Sequence, residues 1–217
     1  VNFNNTIFSL SVNFADTKFE GFASFRGAVF KNDTNFTDSQ FFGCVKYETK
    51  YVDIFGNISA DFSDAEFNGK ADFSSSEFKC DVFFRDGKFN DMADFGDAEF
   101  NGSTYFTNAE FNGDAYFWNN EFNQKATFYM AVFNGTANFG SRKFNFADFT
   151  NAKFNDYAIF REASLSDACF IGAQFDKEAH FEGATFAGTF TVGTSFQDAW
   201  FKDIAFFNDA VFENELE

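Results

Sequence analysis

Residues 60–78 read ADFSDAEFNGKADFSSSEF, and the chain keeps reading that way. Phenylalanine recurs at Phe62, Phe67, Phe73, Phe78, Phe84, Phe89, Phe95, Phe100, Phe106, Phe111, Phe117 and Phe122, in steps of five and six taken in turn. The alternation runs on to Phe144. Two residues ahead of most of these rings stands a small residue, usually Ala, as at Ala65, Ala71, Ala93 and Ala98. Self-similarity at a short fixed period marks a solenoid and overrides any domain count drawn from length.

Toward the N-terminal side the pattern already holds at Phe3, Phe8, Phe14, Phe19, Phe25, Phe30, Phe36 and Phe41. Residues 42–59 then break it. The 21 residues from Phe41 to Phe62 suffice for one more turn, so this segment is expected to be an irregular coil or a loop. Beyond Phe144 the rhythm shifts through Phe149, Phe154, Phe160, Leu165, Phe170, Phe175, Phe181 and Phe186. It blurs at Thr191, where Phe190 and Val192 compete for the slot, and recovers at Phe196, Phe201, Phe207 and Phe212. Residues 213–217 are expected to form an unstructured acidic tail. The expectation is a single solenoid over residues 1–217.

The chain holds 42 Phe and no Pro, and its formal charge is −17. That charge argues against nucleic acid or an anionic membrane as a direct partner, since both are polyanions. It suits a basic protein partner. No apolar run is long enough to cross a membrane as a helix, and no signal peptide is visible. The sequence opens at Val1, inside a repeat and without Met, so its natural N-terminus is expected to be missing. Localisation, cytoplasm or cell surface, stays open. Cys44, Cys80 and Cys169 are odd in number and lack metal-like spacing, so they are expected as free thiols. Sequons at Asn4, Asn32, Asn35, Asn57, Asn101 and Asn134 are a weak extracellular signal in so Asn-rich a chain.

The triplets Ala60-Asp61-Phe62, Ala71-Asp72-Phe73, Ala93-Asp94-Phe95, Ala137-Asn138-Phe139 and Ala147-Asp148-Phe149 match the A(D/N)(L/F)XX signature. In them the chain resembles the pentapeptide repeat proteins. It departs by using Phe almost throughout and by its six-residue steps. The resemblance implies an all-β fold, a right-handed quadrilateral parallel β-helix with four repeats per coil and the central Phe inside. About ten coils at strand spacing would make a rod roughly 48 Å long. The Phe-Asn-Gly corners, as at Asn68-Gly69 and Asn101-Gly102, are expected to take left-handed backbone.

Counting four repeats per coil sorts the outward residues into ladders. Face one carries Phe83, Tyr105, Thr127 and, after the ring, Tyr129. It reads as an apolar strip that a partner would cover. Face three carries Asp94, Tyr116, Trp118, Asn138, Ile159, His180 and Trp200, with Phe201 inside. Its aromatics are of the kind enriched at binding hot spots. Face four aligns Glu77, Glu99 and Glu121, which would meet a basic partner or a cation. For each ladder the alternative is a solvated surface.

Catalysis is not expected. His180, the only histidine, points outward without a nucleophile, and no phosphate loop, metal motif or cofactor motif is present. No cofactor or metal is expected. The leading expectation is a non-enzymatic structural or protein-interaction solenoid, self-associating end to end or side by side. The resemblance supplies an alternative, because some family members are acidic rods that mimic DNA and inhibit type II topoisomerases such as DNA gyrase. A third reading is a regulatory domain of a longer protein.

Overall fold

The computed structural model describes residues 1–46, 57–140, 143–188 and 194–214. It is a parallel β-solenoid of nine rungs. The strands are mostly two residues long, and none of the described residues is helical. Among the described residues no helix is therefore long and apolar enough to cross a membrane.

Four stacks of rings fill the interior. Stack one runs Phe3, Phe25, Phe62, Phe84, Phe106, Phe128, Phe149, Phe170, Phe196, with centroids 4.7–5.0 Å apart. Stack two runs Phe8, Phe30, Phe67, Phe89, Phe111, Phe133, Phe154, Phe175, Phe201. Stack three runs Phe14, Phe36, Phe73, Phe95, Phe117, Phe139, Phe160, Phe181, Phe207. Stack four runs from Phe19 to Phe144, passes through Leu165, and resumes at Phe186 and Phe212. Within a rung, rings meet edge to face, as Phe106 meets Phe117 at 5.2 Å and 81°. Both arrangements favour the ring quadrupoles, each pair contributing about 0.5–1.5 kcal/mol beyond burial. The residue two places ahead is fully buried at Ala65, Ala71 and Ala93, as it is at Val82 and Thr104, because the rings leave space there only for a small side chain.

The two step lengths make two kinds of corner. Five-residue corners follow stacks one and three. In Phe62–Ala65 the Ala65 N–H returns to the Phe62 carbonyl at 3.1 Å while Asp64 sits at φ 59°. Positive φ at the third residue is the signature of a type II turn. Asp and Asn dominate these slots, as at Asp16, Asp38, Asp86, Asp97 and Asn108, because they tolerate left-handed backbone. The Phe-Asn-Gly corners do not share this geometry, contrary to the expectation. Gly69, Gly102, Gly113 and Gly135 all lie outside the positive-φ region. Their glycine answers close packing instead. A Cβ on Gly69 would lie 2.5 Å from the Asp33 nitrogen of the neighbouring rung.

The interruptions are corners, and this explains nine rungs where about ten were expected. Phe25 stacks directly on Phe62, and Phe41 on Phe78, so no extra turn fits between Phe41 and Phe62. The described parts of this connection, Val45–Lys46 and Asn57–Asp61, pair antiparallel. Residues 47–56 lie outside the described residues. Residues 187–195 likewise bridge one corner, from Phe186 in stack four to Phe196 in stack one. The competition at Thr191 falls on residues 189–193, which lie outside the described residues. One consequence is a correction. Phe201 belongs to stack two, Trp200 pairs with Gln174, and Phe206 is the neighbour that follows His180. A strand also runs from Val211 to Asn214, so of the expected tail only 215–217 lie outside the described residues.

Cys44 and Cys80 form a disulfide with Cα atoms 5.8 Å apart, and Cys169 is buried and free. The free-thiol expectation fails for the pair. Their separation of 36 residues conceals that each follows a ring of the same stack, Phe41 or Phe78, on adjacent rungs.

Candidate partner surface

The acidic ladder is in register. Glu77 pairs with Glu99, and Glu99 with Glu121. At the corner before it lie the positive-φ residues Asp16, Asp38, Ser75 and Asp97. The two rows enclose an open groove of about 500 Å³ lined by Asp16, Asp38, Gln40, Ser75, Glu77, Asp97 and Glu99. The Asp row was missed in the sequence, although its signal was present as an acidic residue two places after the stack-three rings Phe14, Phe36 and Phe95. Among the described residues, no group of three or more His, Cys, Asp or Glu could hold a metal ion.

Trp118 packs beside Gly96, the residue before the groove-lining Asp97. It follows Phe117 on face three and is 40% exposed. Three indole atoms would lie 2.8–2.9 Å from a Cβ on Gly96, so the ring packs onto a backbone left bare for it. Gly96 precedes Asp97, and the Asn119 amide of the next rung donates to the Asp97 carboxylate. Tyr116 donates to the Asp114 carboxylate at 3.2 Å. Burial, and then the Asp114 charge, pushes the Tyr116 phenol up. Burial also raises the Asp94 carboxyl, and the neighbouring Asp72 adds to the rise.

The other expected site residues lie elsewhere. Tyr105 and Tyr129 are on face one, which covers much of its own apolar surface. Phe83 is 2% exposed, and the Arg85 guanidinium stands 4.3 Å from its ring centroid and 4.6 Å from that of Tyr105. The sequence suggested a strip awaiting a partner. In the fold a cation lies across it. Burial, and then the Asp81 charge, raises the Tyr105 phenol. Trp200 is exposed on face two, with Lys202 Nζ 4.8 Å from its ring centroid. The structure therefore brings Glu77, Glu99, Glu121 and Trp118 to one edge and leaves Tyr105, Tyr129 and Trp200 apart from it.

His180 is more enclosed than its outward position implied. Its Nδ1 lies 3.0 Å from Glu182 Oε1 and its Nε2 lies 3.1 Å from Glu178 Oε2. Arg161 also reaches Glu182 at 3.0 Å. Glu178 precedes the two-residue strand that holds His180, and Glu182 lies in the turn that follows it. Burial pushes the Glu182 carboxyl up, but hydrogen bonds from Arg161 and His180 outweigh it and hold the carboxyl at about 2 against an ordinary 4.5. A depressed folded value means the stabilisation is present above the unfolded value and lost as pH falls through the folded one. Stability should therefore decline between about pH 4.5 and about pH 2. Glu182→Gln should flatten that decline in urea titrations; a variant with the wild-type pH profile would show that Glu182 does not carry it.

The family model described as pentapeptide repeats (9 copies) matches residues 3–45 and 149–191. Comparison with curated proteins finds no match. Among solved structures, the chain is similar to HetL, a pentapeptide repeat protein involved in heterocyst differentiation regulation from the cyanobacterium Nostoc sp. strain PCC 7120. Identity is 14%, coverage is 97% of this chain and 88% of that one, and the TM-score is 0.27. It is also similar to QnrB1, a plasmid-mediated fluoroquinolone resistance protein, at 17% identity, 90% and 91% coverage and a TM-score of 0.25.

Proposed function

Because the chain is a pentapeptide-repeat protein, we propose that it is a non-enzymatic interaction solenoid whose acidic edge takes a basic protein segment. The observation that carries this reading is the groove of Asp and Glu side chains, with exposed Trp118 packed on Gly96 next to the groove-lining Asp97. Carboxylates in line at strand spacing concentrate negative potential. An Arg or Lys side chain would relieve their mutual repulsion, and a cation would also find the face of an indole. The open shape suits an extended segment better than a small substrate, which needs a concave enclosure.

The test is calorimetric titration with an arginine-rich peptide at two ionic strengths. Binding should weaken as salt rises. Glu77→Gln, Glu99→Gln and Glu121→Gln together should weaken it at least about tenfold, equivalent to about 1.4 kcal/mol. Equal affinity of the triple variant and the wild type would sink the reading.

The in-register run Glu77, Glu99, Glu121 also favours a second reading, an acidic mimic of DNA that occupies a type II topoisomerase. A supercoiling assay with DNA gyrase separates the two. Inhibition by the wild type, lost in the triple Gln variant, would support mimicry. Absence of inhibition, or inhibition that the variant retains, would remove these glutamates from such a mechanism.

A further inference from the structure

We infer that Asn32 and Asn134 are N-glycosylation sites, and that the chain works in an oxidising compartment on the secretory route. The disulfide is the first of two independent observations. Cys44 is exposed and Cys80 half-buried, so soluble thiols can reach the bond that joins them. Where thiols hold a compartment reducing, such an accessible disulfide does not persist; it forms and lasts where secreted proteins fold. In that setting Asn-X-Ser/Thr is read as a glycan acceptor.

The second observation is the placement of two sequons, Asn32-Asp33-Thr34 and Asn134-Gly135-Thr136. Both asparagines are exposed. Each is anchored through its amide nitrogen: Asn32 Nδ2 donates to the Ser9 carbonyl at 2.9 Å, and Asn134 Nδ2 donates to Asn112 Oδ1 at 2.7 Å. A side-chain amide carries two N–H donors. One is spent on the neighbouring rung, and the other is the hydrogen that a glycan replaces. The anchoring bond therefore survives modification. Asn134 lies in a ladder in which Asn90, Asn112, Asn134 and Asn155 each donate to the asparagine one rung before. Its Oδ1 stays free to accept from Asn155, so the ladder stays whole.

The transfer is balanced without any change of oxidation state. Asn Nδ2 bonds to the anomeric carbon of a lipid diphosphate-linked glycan and loses one proton, and the lipid diphosphate leaves. Thr34 is 1% exposed, and its hydroxyl donates to the Asn32 carbonyl at 3.3 Å. A transferase reaches that hydroxyl only before the rung closes, which is the timing of modification on entry to the secretory route. Both sites lie beside stack two, Asn32 two residues after Phe30 and Asn134 directly after Phe133. The acidic groove takes its Asp row from the corner after stack three, on a different side of the rod.

The experiment is peptide mapping of the chain purified from the cells that make it. Digestion with peptide N-glycosidase in heavy-oxygen water turns each glycosylated Asn into labelled Asp, and positions 32 and 134 should carry the label. The full chain secreted from cultured animal cells should carry the same two glycans. Thr34→Ala should remove one and Thr136→Ala the other, while Thr34→Ser and Thr136→Ser should keep them. Both alanine variants should fold, because Ala71 stands at the Thr34 position one rung on. Asp114 and Tyr157 stand at the Thr136 position on the flanking rungs. Alkylation of the denatured, unreduced chain should label Cys169 alone. Unmodified Asn at both positions in the natural chain overturns the inference. So does labelling of all three cysteines, which removes the oxidising compartment. Glycans that both alanine substitutions leave in place would overturn the assignment to Asn32 and Asn134.

Discussion

Phe106→Ala will destabilise the solenoid by about 3–5 kcal/mol, the range for deleting a fully buried ring. Phe106 stacks on Phe84 at 4.8 Å and on Phe128 at 5.0 Å, and meets Phe95 and Phe117 edge-on at 5.2 Å each. The cavity cannot close cheaply, because the flanking rungs are hydrogen-bonded in register, with Phe84 N–H to Tyr105 O and Phe106 N–H to Thr127 O at 2.8 Å each. Urea titration followed by circular dichroism measures the loss. Two comparisons make it specific. Phe106→Leu should cost less than about 1.5 kcal/mol, because stack four already runs through Leu165, itself fully buried. Phe212→Ala should cost still less, since that ring is largely exposed. Equal losses at Phe106 and Phe212 would show that burial in the stacks is not what holds the rungs together. In a quasi-one-dimensional fold a central defect also weakens coupling between the two halves. Hydrogen exchange should then report separate opening of the rungs on each side.

The rings carried the fold in the sequence because their period is the structure's period. Every Phe of the five-and-six series from Phe62 to Phe144 occupies an interior slot, and the alternation maps onto two kinds of corner. The interruptions were less legible for a physical reason. Twenty-one residues are compatible with a coil or with a protruding connection, and nothing local distinguishes them. The stacking of Phe25 on Phe62 decides the matter, and stacking is a relation between distant residues. The disulfide was hidden by the same insertion, which lengthens the separation of Cys44 and Cys80 beyond one rung. Trp200 moved from face three to face two because residues 187–195 span one corner, where the count had assumed another repeat.

The candidate surface was half legible. Glu77, Glu99 and Glu121 could be aligned from spacing alone, as could Tyr116 and Trp118. What spacing did not reveal was the joint between them. Asp97 belongs to the corner between faces three and four, and the bare backbone of Gly96 receives the indole of Trp118. Face one shows the opposite outcome. Its aromatic composition was plain, but the Arg85 side chain that lies on Phe83 and Tyr105 comes from a position whose direction the repeat does not dictate.

Gly102→Ala will be strongly destabilising, by about 1–3 kcal/mol or more, while Gly21→Ala will be neutral or slightly stabilising. Both replace glycine with the smallest chiral side chain, so propensity alone predicts similar effects. The surroundings separate them. A Cβ on Gly102 would lie 2.3 Å from the Asp81 nitrogen and the Cys80 carbonyl carbon, whereas Gly21 has nothing within 4 Å. The obstructing atoms at Gly102 are backbone of the adjacent rung, at the corner tied through Cys80 to Cys44. They can yield only by spreading the rungs, which lengthens neighbouring hydrogen bonds such as Val82 N–H to Ser103 O, now 3.0 Å. At Gly21 no rung has to move, and the gain is the reduced freedom of the unfolded chain, about 0.4–1 kcal/mol. Paired thermal denaturation of the two variants measures the contrast. A similar shift in both would mean that glycine at these corners serves backbone conformation, as the sequence first suggested. A large loss confined to Gly102 would establish that the six-residue corners are built on contact between rungs, and that their glycine is selected by the neighbouring chain.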